Sequence, residues 1–238
     1  MTPELYFLEM LITNSQKARR IFLAKELEDW FMDLFDEEYE DILNGTFKAN
    51  QEAYIDKIVD KYLEITEVKM TDTDEYSKSV IDKAFKSASE IQDTTWKNIV
   101  SVPLRTMDEI NVMGSKKDKK NEELLIGYIL GGIAISSLVV GDNVKKWLGQ
   151  TRANLIALNE ANWKCNNEEF FEAKAKKKTK TWHTALDEKV RLTHVGLEGV
   201  TIGINEMFNV GGYPARYALD SSLPISETAN CRCSVSYE

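Results

Sequence analysis

Cysteine is the first scarcity in this chain of 238 residues: there are three, an odd number, and only two histidines. Such a count excludes a disulfide framework and fits synthesis in a reducing compartment. No basic stretch followed by an apolar one opens the sequence, so no secretory signal is expected. A phosphate-binding glycine loop, a dinucleotide fingerprint and a zincin helix are all missing, which removes the commonest readable enzyme classes. No internal repeat is visible. An excess of positive charge is absent as well. The net charge is −9, and because phosphate affinity comes mainly from lysine and arginine displacing counterions, whole-surface binding of nucleic acid is excluded.

What is present is uneven. Nine acids and no lysine or arginine lie between Glu26 and Asp41, the pattern of a solvated helix face or of a surface for a basic partner. Lys116, Lys117, Lys119 and Lys120 form one basic cluster, and Lys174, Lys176, Lys177, Lys178 and Lys180 a second. Both read as solvated loops or as local contacts with DNA or an acidic neighbour.

Apolar residues recur at three- and four-residue spacing through Phe22, Leu23, Leu27, Trp30, Phe31, Leu34 and Phe35, which predicts a helix ending near Asn44-Gly45. A second amphipathic run covers Gln51 to Val68 and a third Asp74 to Val100, with Pro103 as a break before a short helix over Met107 to Val112. Leu124 to Gly141 is eighteen residues without a charge. That length is marginal for crossing a bilayer. Gly127, Gly131, Gly132 and Ser136-Ser137 favour a buried or subunit-contacting element, with membrane contact as the alternative. Asp142 to Lys174 reads as one long helix capped by Asp142-Asn143. Beyond it, glycine and proline punctuate the chain too often for long helices. The expected fold is therefore α+β, mainly α, with a helical N-terminal region (1–115), an apolar segment plus long helix (116–174) and a small loop-rich α+β domain (175–238).

The unusual residues concentrate in that last domain. Trp182, Thr184-Ala185, Asp187, Val190-Arg191, His194, Leu197 and Gly199 come first, then Phe208 and Tyr213-Pro214, and finally Asn230-Cys231-Arg232-Cys233. In number and order these resemble the C-terminal domain of the phage Mu F-like head morphogenesis family, the minor head proteins of tailed phages and prophages. The resemblance runs from Ile156 to the end. It departs at Ile156-Ala157-Leu158-Asn159-Glu160, where the family often has I-A-R-T-E. It implies a non-enzymatic minor head protein, present in multiple copies in the virion and in the host cytoplasm during assembly. The implied partners are the portal, the major capsid protein or both, with packaged DNA or its ejection as a further role. A membrane-interacting ejection protein acting through Leu124 to Gly141, and a metal-dependent nuclease, are the alternatives.

His194, Cys231 and Cys233 are three zinc-type ligands. Some relatives resemble a structural zinc site, with Cys-x-x-Cys at the places of Arg191 and His194 and an added His at the place of Thr228. Asp187 or His183 is available as a fourth ligand here. The simpler expectation is that Arg191 replaces the metal's charge through an ion pair to Asp187, Glu198 or Glu227. His194 with either cysteine is also a nucleophile and base pair in outline, without a recognisable orienting group. Trp182, Asp187, Arg191, His194, Gly199, Asn230, Cys231, Arg232 and Cys233 are thus expected to form one cluster that staples the domain, with no catalytic residue among them.

Overall fold

The computed structural model describes residues 3–113, 144–145 and 147–238, and the side chains of 18–99, 144–145 and 147–238. The apolar run Leu124 to Gly141 and the first lysine cluster lie outside the described residues. Among the described residues four long helices come first: α1 (Pro3–Asn44), α2 (Phe47–Thr66), α3 (Glu75–Met113) and α4 (Gln150–Lys174). A small α+β part follows, with β1 (Thr179–His183), α5 (Leu192–Val195), β2 (Thr201–Gly203), β3 (Phe208–Val210), β4 (Tyr213–Ala215), α6 (Ile225–Thr228) and β5 (Ser234–Tyr237). The fold is α+β and mainly α, as the sequence predicts.

Local chemistry sets most of the ends. Gly45 takes φ +74 immediately after α1, the left-handed step that glycine makes without penalty. Asp74 accepts the Ser77 backbone N–H at 3.0 Å and so caps α3. Two expectations need correction. Pro103 does not end the third helix, which continues to Met113; a proline removes one backbone donor, and here the turns on either side hold. The long helix after the apolar run begins at Gln150, because a turn and bend at Leu148 and Gly149 interrupt it.

By its contacts the chain forms two compact units, Trp30–Arg152 and Met1–Asp29 with Ala153–Glu238. In the first, α2 lies against α3, and Phe31, Phe35, Ile58, Tyr62, Val80 and Ala84 are among its core residues. A polar network is sealed inside it. Gln92 donates to the wholly buried Glu38 carboxylate at 2.5 Å. The Arg152 guanidinium, 3.8 Å from the Trp147 ring centre and 4.6 Å from that of Phe35, donates to the Ile91 carbonyl and to Thr95 Oγ1.

In the second unit, α4 packs a buried row of Ala153, Ala157, Ala161, Cys165, Asn166, Asn167 and Phe170. Arg20 of α1 donates to Asn162, Asn166 and Glu169 on it. Two antiparallel sheets complete the unit. One has the order β2-β1-β5, with Trp182 opposite Val235 and Lys180 opposite Ile202 on one side and Tyr237 on the other; the second is the β3-β4 hairpin. Its two-residue turn is Gly211-Gly212, both at positive φ, the geometry whose twist matches the flanking strands.

Candidate functional site

The site is built on β1. Side chains alternate across a strand, and Trp182 and Lys180 face inward while their neighbours are half-exposed. The Trp182 ring meets His194 edge-on with centroids 5.8 Å apart and Phe208 at 5.1 Å. His194 lies in α5, a single turn that starts from Arg191, and is 2 % exposed. Its two ring nitrogens have different surroundings. Nε2 lies 3.0 Å from Glu227 Oε2, and Nδ1 lies 3.6 Å from Cys231 Sγ and 3.4 Å from Cys233 Sγ. Both thiols are buried, at 4 % and 3 %, and unbridged.

The surroundings hold these groups in place. The Asn162 amide donates to the Cys231 carbonyl at 3.1 Å, and the Asn166 amide donates to the carbonyls of Ala218 and Cys233. Thr193 donates to Glu227 at 2.8 Å. A Cβ on Gly211 would fall 2.7 Å from Glu227 Oε1, so the bare hairpin backbone is what leaves room for that carboxylate. A void of about 10 Å³, the volume of one water, lies beside the cluster against Arg191, Asn230 and Arg232. On the outer side a groove of about 700 Å³ runs along Ile21, Leu155, Leu158, Arg191 and Arg232.

Electrostatics separates the two thiols. The hydrogen bond from Cys233 pulls the Cys231 thiol well below its ordinary range against the effect of burial, and His194 adds to this. Cys233 is pushed far up by Cys231 and by burial, with the Trp182 indole N–H opposing. Burial pushes His194 down, but its bonds to Cys231 and Glu227 outweigh that and hold it above the usual histidine range.

Three sequence expectations change, and a fourth is narrowed to a backbone contact. Among the described residues Arg191 makes no ion pair; it donates to the Ala229 carbonyl. The carboxylates assigned to it are taken: Asp187 is bound by both guanidinium nitrogens of Arg232 at 2.6 and 2.7 Å, Glu198 accepts from Thr184, and Glu227 serves His194. Asp187 and His183 do not join the thiols, since His183 Nε2 lies against Ser236 at the exposed edge of β1. Gly199, at φ +71, shapes the turn into β2 and joins the cluster through its backbone, donating its N–H to the Trp182 carbonyl at 2.9 Å. Lys180 is not available to DNA. It is 1 % exposed, donates to the Arg216 carbonyl at 2.7 Å between Phe170 and Phe208, and burial lowers its pKa to about 8. Lys176, Lys177 and Lys178 are exposed, whereas Lys174 lies partly over the rings of Phe170 and Phe171.

The comparison with known families decides the wider assignment. Residues 129–236 match the family described as Phage Mu protein F like protein. That segment belongs to the phage Mu F-like family. Neither the curated proteins nor the solved structures compared with the chain contain a match. The match covers residues 129–236 and points to a phage head-related structural role at this coarse level. Within the Mu F-like segment, sequence reasoning did not single out Asn162 and Asn166, whose only signal is their four-residue spacing on one helix face.

The different duties of two arginine contacts give a first prediction. Arg191→Ala should destabilise the segment by about 1–3 kcal/mol, because it leaves a partly buried carbonyl unpaired. Asp187→Ala breaks an exposed pair and should leave the melting temperature unchanged. Thermal denaturation of the two variants side by side checks this, and equal losses would contradict it.

Proposed function

We propose that this protein is a non-enzymatic minor head protein, carried in several copies in the phage particle and held at the capsid interior or the portal. The observation behind this reading is the Mu F-like segment itself, together with the way its characteristic residues are used. His194, Cys231 and Cys233 are consumed inside the unit, in contact with one another, while Asn162 and Asn166 of α4 hold the carbonyls of the two cysteines. Cys231, His194 and Glu227 do have the order of a nucleophile, a base and an orienting carboxylate. Burial argues against that use, since a substrate carbonyl has to approach the sulfur and Cys231, although it borders the outer groove, is 4 % exposed.

Packaged DNA, if touched, is met locally at Lys176, Lys177 and Lys178. The acidic balance of the rest of the surface works against broader binding. Among the described residues no helix is long and apolar enough to cross a membrane; the ejection alternative rests on Leu124 to Gly141 alone. The test is mass spectrometry of purified proheads and virions, with the protein expected in both at several copies per portal. Presence in infected cells but absence from both particles refutes the proposal. Particles that assemble normally with Ile129→Glu but fail to deliver DNA, together with liposome flotation of the wild-type protein, would favour the ejection role.

A further inference from the structure

We infer that His194, Cys231 and Cys233 form a binding site for one thiophilic divalent cation of the zinc class. This deepens the structural role proposed for the cluster and does not depend on which head component the protein meets.

The separations come first. The three ligand atoms, one imidazole nitrogen and two sulfurs, lie within 4.8 Å of one another. A tetrahedral zinc ion, with Zn–S of about 2.3 Å and Zn–N of about 2.0–2.1 Å, places its nitrogen and sulfur ligands roughly 3.5 Å apart. The observed 3.6 and 3.4 Å fall on either side of that value.

Hydrogen bonding alone accounts for the cluster less well. With the proton on Nε2, directed at Glu227, the ring has a single lone pair at Nδ1, yet two sulfurs crowd it. In a hydrogen-bonded arrangement Nδ1 takes one thiol and the two sulfurs bond to each other, whereas a cation holds the nitrogen and both sulfurs at once. The Glu227 carboxylate on the remote ring nitrogen is the outer partner that orients a metal-bound histidine. The buried Trp182 indole N–H is directed at Cys233, where it favours the thiolate that a metal would bind.

Rigidity and room complete the case. Asn162 and Asn166 fix the carbonyls of both cysteines, so the ligands are positioned before any ion arrives. With Asp187 and His183 engaged elsewhere, the fourth position falls to a water in the adjoining void. Binding is balanced by release of two protons from the His194, Cys231 and Cys233 cluster to solvent: the cation gains two thiolates and one neutral imidazole, and the buried charge is unchanged.

The experiment uses the full chain purified from zinc-supplemented medium. One zinc per chain is expected by elemental mass spectrometry. Chelation should lower the melting temperature of unit Met1–Asp29 with Ala153–Glu238 by more than about 5 °C, and zinc, but not magnesium, should restore it. Cobalt should give the visible absorption of a tetrahedral thiolate site, retained in Cys165→Ser and lost in Cys233→Ser. Should the cysteine variant fail to fold, the chelation and cobalt results on wild-type protein stand by themselves. Metal-free protein whose melting is indifferent to zinc and chelator overturns the inference, as does zinc retained by a folded His194→Ala, Cys231→Ser double variant. A metal-free protein that is nevertheless present in virions would refute only the cation site, leaving the head assignment intact.

Discussion

Trp182→Ala is expected to cost about 3–5 kcal/mol, the usual loss for truncating a fully buried large aromatic, and to melt the Mu F-like unit at ordinary temperature. Trp182 is wholly buried at the middle of β1, the central strand of its sheet. Its backbone N–H donates to the Val200 carbonyl and its carbonyl accepts from Gly199, so its main chain is fixed by the segment that follows α5. Its ring separates His194 from Phe208. Truncation would leave a cavity bordered by an imidazole and two thiols, polar groups that water would enter and solvate. The imidazole would then be free to leave Glu227 and the sulfurs. The loss is large against the 5–15 kcal/mol that stabilises a typical domain. Hydrogen exchange resolved by segment is the suitable measurement, because the two compact units need not melt together. Protection should collapse in β1, β2 and β5 and persist in α2 and α3. A loss below about 1 kcal/mol would show that the ring is not the centre of the unit.

The helical unit Trp30–Arg152 should be more stable at pH 5 than at pH 8.5, an inversion of the common acid lability. Burial pushes the Glu38 carboxyl up to about 7 from its ordinary 4.5, although the bond from Gln92 and the attraction of Arg152 pull the other way. A carboxyl whose folded pKa is raised holds its proton more tightly in the folded state. Its contribution is complete below the unfolded value and is lost as pH rises through the folded one. Across this window the loss is roughly 3 kcal/mol, at 1.36 kcal/mol for each pH unit. One Glu38 oxygen has no hydrogen-bond partner, so the ionised form leaves a buried carboxylate only half satisfied. Asp41 and Asp74, held below the usual carboxylate range by Tyr54 and Ser77 bonds among others, titrate at lower pH and do not blur the window. Urea midpoints followed by exchange in α2 and α3 would report it. Glu38→Gln, which keeps the shape without the charge, should flatten the dependence and raise stability at pH 8.5. The same pH slope in both proteins would refute the assignment to Glu38.

Periodicity carried much of the architecture. The apolar stripe through Leu27, Phe31, Leu34 and Phe35 is buried as a helix face should be, and glycine after Asn44 closes that helix where its backbone freedom suggests. Phe22 shows the limit of the same reasoning. It continues the stripe but is 75 % exposed, because periodicity gives a face and not what that face meets. Lys180 was hidden by its charge, although its place two residues before Trp182 on a strand puts the two on one side of the sheet. Arg191 and Glu227 exchanged their expected partners for a different reason. Opposite charges at suitable spacing name candidate pairs, but a free backbone carbonyl at Ala229 and an imidazole at His194 compete for them, and only the folded backbone ranks the competitors.

The order in which residues are joined has a consequence for synthesis. Trp182 and His194 emerge from the ribosome well before Glu227, Cys231, Cys233 and strand β5, which complete the sheet and the cluster. The opening stretch of α1 waits longer still, since its partners in that unit begin at Ala153. A nascent chain released before Val235 therefore has a strand edge without its partner and an indole without its cover. Such a fragment presents to solvent the interior that a finished copy of this unit buries.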